Sequence, residues 1–247
     1  MLTDIQIRIL KKLSPGAPAS CSGCFYEGKS KLQVLMGDRF FTQIAGKVVV
    51  DFGCGEGSDS VEMAKNGAKR VIGIDIREEA LQAARQKAME SGVENICCFT
   101  SSTKDLADVV VSADAFEHFA DPAEILRIMN TVLKPAGEVM VSFGPTWYHP
   151  LGGHLFSVFP WAHLIFSEKA LIGWRSSFKT DGATRFSEVA GGLNQMTIAR
   201  FEQLIADSPF RFAALELVPI KKLRPIHNRV TREFTTAVVR CRLVKRT

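Results

Sequence analysis

The stretch VVVDFGCGEG, residues 48–57, decides how the rest of the chain is read. Three β-branched residues run into Asp51, as in a buried strand, and then glycine takes every second place at Gly53, Gly55 and Gly57. Glycine lacks a Cβ, so such a turn admits positive φ and lets a ligand approach bare main chain. Spacing removes one class of ligand. A phosphate-cradling loop needs G-x-x-x-x-G-K-[ST], and no Lys-Ser or Lys-Thr follows this one. The dinucleotide pattern G-x-G-x-x-G is also broken, because Ser58 holds the third-glycine position.

Downstream, RVIGID forms a second strand whose last residue, Asp75, lies twenty-two positions beyond Gly53. A carboxylate there can accept hydrogen bonds from both hydroxyls of a ribose, which suits NAD and S-adenosylmethionine alike. Between and after these strands, apolar runs alternate with helix-period segments. Residues 58–66 predict a helix, REEALQAARQKAMESG another closed by Gly92, NICCF a third strand and ADVVVSA a fourth. DPAEILRIMNTVL starts a helix with Asp121 as cap, Pro122 at its first position and Glu124 three residues after the cap. LKPAGEVMVSF is a turn and a fifth strand.

After Phe143 the rhythm stops for some fifty residues, then resumes with a helix over 198–206 and strand-like segments at 210–220 and 233–244. With no helical pattern between them, those two segments pair antiparallel at one edge. The first forty residues hold an amphipathic helix, DIQIRILKKL, and an approach helix ending near GDRFFTQIAG. The expected fold is α/β and Rossmann-like, with a seven-stranded, mostly parallel sheet and an antiparallel last strand. Its parts are an N-terminal helical extension (1–46), a Rossmann-like domain (47–144 and 195–247) and an inserted substrate lid (145–194).

Composition constrains the setting. The 247 residues are 46% hydrophobic and 23% charged, as in a globular protein with a real core. The net charge of +5 collects near the end, in KKLRPIHNRVTREF and RCRLVKR, and reads as a solvated basic face. Six cysteines, at 21, 24, 54, 97, 98 and 241, form no disulfide framework. With no signal-peptide pattern, the expected compartment is the cytoplasm. CSGC, Cys21 to Cys24, supplies half a zinc site, but no second Cys-x-x-Cys completes it. Residues 139–167 hold no Asp, Glu, Lys or Arg, yet Pro145, Pro150, Pro160 and Gly152-Gly153 break them into short pieces. A strand and an apolar lid follow, with peripheral membrane contact open to the lid but no membrane span.

At this point the motifs resemble a family. VVVDFGCGEGSDS resembles the first motif of class I S-adenosylmethionine-dependent methyltransferases, VIGIDIREEAL their second, and ADVVVSADAFEHFADP their fourth. LKPAGEVMVSF is similar to the segment around their fifth strand. The resemblance implies that Asp51, Gly53, Cys54 and Gly55 line the methionine portion of the cofactor and that Asp75 takes the ribose hydroxyls. It further implies that Ile76 flanks the adenine, Ser101 or Ser102 lies near the adenine amine, and Ala113 and Asp114 face the methyl donor. The cofactor carries a sulfonium cation and no phosphate, which agrees with a loop that lacks a phosphate-binding lysine.

The acceptor is read from DAFEHF. Enzymes acting on exocyclic base amines usually carry Asn/Asp-Pro-Pro-Tyr/Phe at this place, so a small-molecule acceptor is expected and nucleic acid is not. Asp114, Glu117 and His118 are spaced i, i+3, i+4, and one helical turn would set them on one side. D-x-x-E-H resembles a divalent-cation motif of some O-methyltransferases, with His149 or His154 as a further ligand. The competing reading, which is preferred, has Glu117 and His118 bonded to main chain or each other. Without metal, histidine is the natural base for a hydroxyl acceptor. His118 and His154 lead, ahead of His149, while His163 is expected to pack with Trp161 and Phe166. The lid's aromatics, Trp147, Tyr148, Phe156, Phe159, Trp161, Phe166, Trp174 and Phe178, suit an apolar pocket. Arg175 and Arg185 either meet an anionic group or face solvent, with solvent preferred. The expected activity is S-adenosylmethionine-dependent O-methylation of a hydrophobic, aromatic-type small molecule. The alternatives are an RNA or protein methyltransferase using the basic C-terminal face, and a non-catalytic cofactor-binding scaffold.

Overall fold

A computed structural model describes residues 2–14, 16, 30–179, 181–189 and 192–246. Cys21 and Cys24, the half zinc site, lie outside the described residues. In chain order the elements are α1 (Leu2–Leu13), α2 (Lys31–Met36), α3 (Phe40–Ile44), β1 (Val48–Phe52), α4 (Ser58–Lys65), β2 (Arg70–Ile74), α5 (Glu78–Glu90), β3 (Cys97–Thr100) and β4 (Ala107–Ala113). They continue with α6 (Pro122–Val132), β5 (Leu133–Phe143), α7 (Ala162–Ile165), α8 (Glu168–Arg175), α9 (Ile198–Ala206), β6 (Phe210–Pro219), α10 (Arg232–Thr235) and β7 (Thr236–Lys245).

The seven strands form one sheet in the order β3-β2-β1-β4-β5-β7-β6, and β7 runs antiparallel to both of its neighbours. The central strands are buried on both faces, which is why their sequences are near-continuous Val/Ile runs. Alternate residues supply two cores. Val50, Val110, Val139 and Val239 pack with Leu126 and Met129 of α6 and Ile198 and Phe201 of α9. Val49, Val71, Val109 and Met140 pack on the other face with Leu32 and Leu35 of α2, Phe40 and Ile44 of α3, Met63 of α4, and Leu81 and Ala84 of α5.

Local chemistry explains most boundaries. Asp121 caps α6 by accepting hydrogen bonds from the backbone N–H groups of Ala123 (3.1 Å) and Glu124 (3.0 Å), with Pro122 at the first position. Gly57, at φ 76°, starts α4, and a Cβ there would lie 2.7 Å from the Ala84 Cβ of α5. Gly57 therefore performs the close-packing task that the dinucleotide pattern gives to the next position, where exposed Ser58 stands. The single approach helix expected before β1 is two short helices, parted at Gly37, φ 96°. β5 runs over the whole of Leu133–Phe143 rather than beginning after a turn.

Residues 145–179, 181–189 and 192–194 follow the C-terminal end of β5 and supply most of a third core. Phe156, Leu171, Trp174 and Phe186 pack there with Leu10 of α1, so the N-terminal helix belongs to the lid rather than to the sheet. Trp174 Nε1 donates to the Ser14 carbonyl (2.8 Å) and Ser167 Oγ donates to Gln6 Oε1 (2.7 Å) across the same contact. Arg175, expected in solvent, is 3% exposed and holds Asp181 through two charge-assisted hydrogen bonds of 2.6 and 2.5 Å. No helix among the described residues is long and apolar enough to cross a membrane.

Candidate active site

β1 pairs with β2 on one side and β4 on the other, so the sheet order reverses at its C-terminal end. Crevices at such switch points are where open α/β sheets take ligands. The glycine loop folds over the tip of β2, with Gly53 N and Cys54 N both donating to the Ile74 carbonyl at 2.8 and 3.0 Å. Gly53 is exposed at φ 86°, and a Cβ there would press within 3.3 Å of Ala115. Cys54 is buried and its thiol is pushed up by burial and by the charges of Asp51 and Asp75, so it is a neutral lining group.

Asp75, 8% exposed, has its carboxylate fully occupied. Gly55 N donates to Oδ2 (3.0 Å) and Arg77 N to Oδ1 (2.9 Å), while the exposed Arg77 guanidinium donates to Oδ1 (3.1 Å) and Oδ2 (3.2 Å). Burial works to raise its pKa, but the Arg77 and Gly55 hydrogen bonds outweigh it and hold the group below the usual carboxylate range. An ionised carboxylate offers about four lone-pair sites. Two are held by main chain, and two by an exposed, solvent-facing side chain. Beside it Ile76 is 92% exposed, an apolar side chain with its surface open. Ser101 and Ser102 are exposed just beyond β3, next to the same tip, with Thr100 Oγ1 donating to the Ser102 carbonyl.

The other end of the crevice is acidic around one cation. Asp51 is 3% exposed and accepts from Ser60 Oγ at 2.5 Å; burial first, and then the charge of Asp59, raise its pKa. Lys31, at the start of α2, reaches Asp59 Oδ2 (3.2 Å) and Asp114 Oδ2 (3.6 Å). Burial opposes its charge, but the two carboxylates outweigh that and raise its pKa. Asp114 follows Ala113 in left-handed geometry, φ 56°, with its N–H donating to the Ser142 carbonyl (2.7 Å). That overturns the single helical turn expected for Asp114, Glu117 and His118, because only Phe116–His118 forms a 3₁₀ turn and Asp114 lies before it.

Glu117 is 1% exposed. Its Oε1 accepts from Gly144 N (3.2 Å), its Oε2 is buried without a partner, and burial with the Asp114 charge raises its pKa. The His118 Nδ1 meets the Gly192 carbonyl at 2.8 Å, and its ring lies 5.5 Å from that of His154. Both side chains thus engage main chain, and no three His, Cys, Asp or Glu among the described residues are grouped to hold a metal. His154, at φ 49°, buries its Nε2 without a hydrogen-bond partner. His149 lies farther along the lid, its Nδ1 accepting from Leu151 N (2.9 Å). His163 packs on Trp147 (4.7 Å) and bonds the Trp147 carbonyl (2.6 Å), not Trp161 and Phe166 as expected.

Burial holds His149 and His154 down to about 4, with nearby imidazoles adding to it, and burial also lowers His163. Folded values below the ordinary ~6.5 mean that their contribution to stability is complete above that pH and is lost as pH falls toward 4. Amide exchange across residues 145–189, corrected for intrinsic rates, is therefore expected to rise between pH 7 and pH 5 while β1 and β4 stay protected. Equal protection of the lid at both pH values would contradict this.

Residues 44–145 match a family model described as a methyltransferase domain. Over this stretch the chain carries a methyltransferase domain. The chain is 42% identical over 103 residues to a ubiquinone biosynthesis O-methyltransferase of Aeromonas salmonicida, a match covering 39% of this chain and 43% of that protein. A protein of the same name from Stutzerimonas stutzeri is 39% identical over 105 residues, covering 40% and 45%. The chain thus matches less than half the length of these curated relatives. In three dimensions it resembles an S-adenosylmethionine-dependent methyltransferase of Mesorhizobium loti, with a TM-score of 0.56 at 17% identity over 90% of this chain and 100% of that one. That likeness carries the fold. The glycine loop and Asp75 carry a sequence signal, whereas Lys31 and Arg77, which bond the carboxylates of this crevice, carry none.

Proposed function

We propose that the chain methylates an oxygen of a hydrophobic small molecule, with S-adenosylmethionine as donor. The observation that carries the reading is Asp75, a buried ionised carboxylate at the switch point with two exchangeable hydrogen-bond positions and an open Ile76 beside it. Asp75 would accept the ribose hydroxyls, and Ile76 would cover one face of the adenine, with Ser101 or Ser102 at its edge. Gly53, Cys54 and Gly55 would bring main chain against the rest of the ligand. At the far end, Lys31 would meet the ligand's carboxylate, while Asp51 and Asp114 favour its ammonium. When bound, S-adenosylmethionine supplies an electrophilic methyl group on a sulfonium.

The chain's own task is to align the acceptor and remove its proton. His118 is the favoured base. A carbonyl only accepts, so its Nδ1 carries the proton and its Nε2 carries the lone pair. His154 also has a bare Nε2, but burial makes it a poor proton acceptor. The relatives' names and DAFEHF support an oxygen acceptor. The cations of the C-terminal strand favour this over a nucleic-acid substrate. Arg240 holds Glu216, Arg242 holds Glu138, and Lys245 and Arg246 bond main-chain carbonyls.

Calorimetry with S-adenosylhomocysteine, followed by transfer of a labelled methyl to a panel of hydroxylated aromatic and alicyclic acceptors, tests the reading. Binding with label on oxygen is expected; no binding at millimolar ligand would overturn it. A companion result concerns Arg77. Its ion pair must yield to the ribose, and because the Arg77 guanidinium is exposed and screened by solvent the pair is worth only about 1 kcal/mol. Arg77→Ala is therefore expected to tighten S-adenosylhomocysteine by up to about fivefold, and a marked weakening would show that the guanidinium touches the ligand instead.

A further inference from the structure

The end of the lid returns to the sheet at Gly192–Asn194, and it does so on the 116–119 turn. Asn194 takes three carbonyls of that turn. Its backbone N–H donates to Glu117 O (3.0 Å), and its side-chain amide donates to Phe116 O and Phe119 O, both at 2.9 Å. Since both partners of the side chain are acceptors, its nitrogen must face them, and its Oδ1 is left buried without a partner. The amide is thus held for its donors. Arg200 in turn donates to the Asn194 carbonyl, fixing this residue to α9.

Two positions back, Gly192 accepts the His118 ring N–H. Gly192 sits at φ 68°, and a Cβ there would come within 2.9 Å of the His118 carbonyl. Only glycine combines that backbone with that approach. One short segment, more than seventy residues away in sequence, therefore holds both the main chain and the imidazole of His118.

We propose that Gly192 and Asn194 are the positioning residues of His118: they lock its turn and fix its ring as the Nδ1–H tautomer, so that a base with a free Nε2 exists only while this end of the lid is seated. The proposal rests on the reading of His118 as the proton acceptor. Its logic is that of a metal-free second partner: a hydrogen bond at one ring nitrogen decides what the other can do. Unseating the segment frees the ring to rotate and to exchange tautomers.

Long-range proton–nitrogen spectra of the full chain, with the His118 signals assigned by their loss in His118→Asn, give the direct measurement. The wild type is expected to show a fixed Nδ1–H tautomer. Asn194→Asp keeps the shape but turns a carboxylate toward two carbonyls, and Gly192→Ala blocks the close approach; both are expected to yield mixed tautomers. With an accepted substrate, kcat should fall at least tenfold while KM and S-adenosylhomocysteine affinity stay within twofold. An unchanged tautomer in both folded variants overturns the proposal. Should the variants unfold, the wild-type spectrum alone decides, because an Nε2–H or averaged ring overturns it. A locked tautomer lost in the variants, with turnover intact in His118→Asn, supports the positioning and removes only the role of His118 as base.

Discussion

Asp75→Ala is expected to weaken S-adenosylhomocysteine binding roughly 10- to 150-fold. The ribose diol would lose its ionised acceptor while water and the loop make up part of the loss, and a net deficit equal to one charge-assisted bond is about 1.5–3 kcal/mol. Part of the loss has a second origin, because Gly55 N and Arg77 N also end on this carboxylate and would be left to solvent. Asp75→Asn keeps the shape but only one acceptor oxygen, and its NH2 would meet the N–H of either Gly55 or Arg77, so it disturbs the loop as well as the ligand's hydroxyls. Thermal unfolding controls for the loop, since a site at the strand tip lies outside both sheet cores. Affinity within twofold of wild type in Asp75→Ala, measured by calorimetry, would remove this carboxylate from the ribose site and with it the reading of the crevice.

What was legible in the sequence is what short-range chemistry decides. A Val run, three alternating glycines and an acidic residue at the next strand end determine β1, its loop and Asp75 without reference to distant residues. The same is true of the Asp121–Pro122 cap and of the antiparallel last strand, where the absence of a helical pattern leaves no room for a crossover. Failures came where tertiary contact overrides spacing. Asp114 adopts a left-handed backbone that aspartate tolerates, and this detaches it from the turn carrying Glu117 and His118. Arg175 looked like a surface cation because its partner, Asp181, lies six residues on in an irregular stretch, and only folding closes that pair. Lys31 has no local signal at all: it enters the site because α2 lies across the sheet beside β4. Asn194 is further still from the turn that it clamps.

The second large effect separates the histidines. His118→Asn is the informative change, because the asparagine amide can still donate to the Gly192 carbonyl from about the place of Nδ1, while nothing replaces Nε2. The lid contact is kept and the proton acceptor is removed. General-base catalysis contributes about 10²- to 10⁴-fold, so kcat is expected to fall by that range, with S-adenosylhomocysteine affinity within twofold. His154→Asn is expected to do less, on the order of tenfold, since a ring held down to about 4 by burial is already a weak proton acceptor and can serve only to receive a hydrogen bond from the acceptor. The ranking is the test. If His154→Asn costs more than His118→Asn, the proton leaves toward the lid rather than toward the turn. The carbonyl-anchored tautomer of His118 would then be a structural tie, and His154, with its unpartnered Nε2, would be the base.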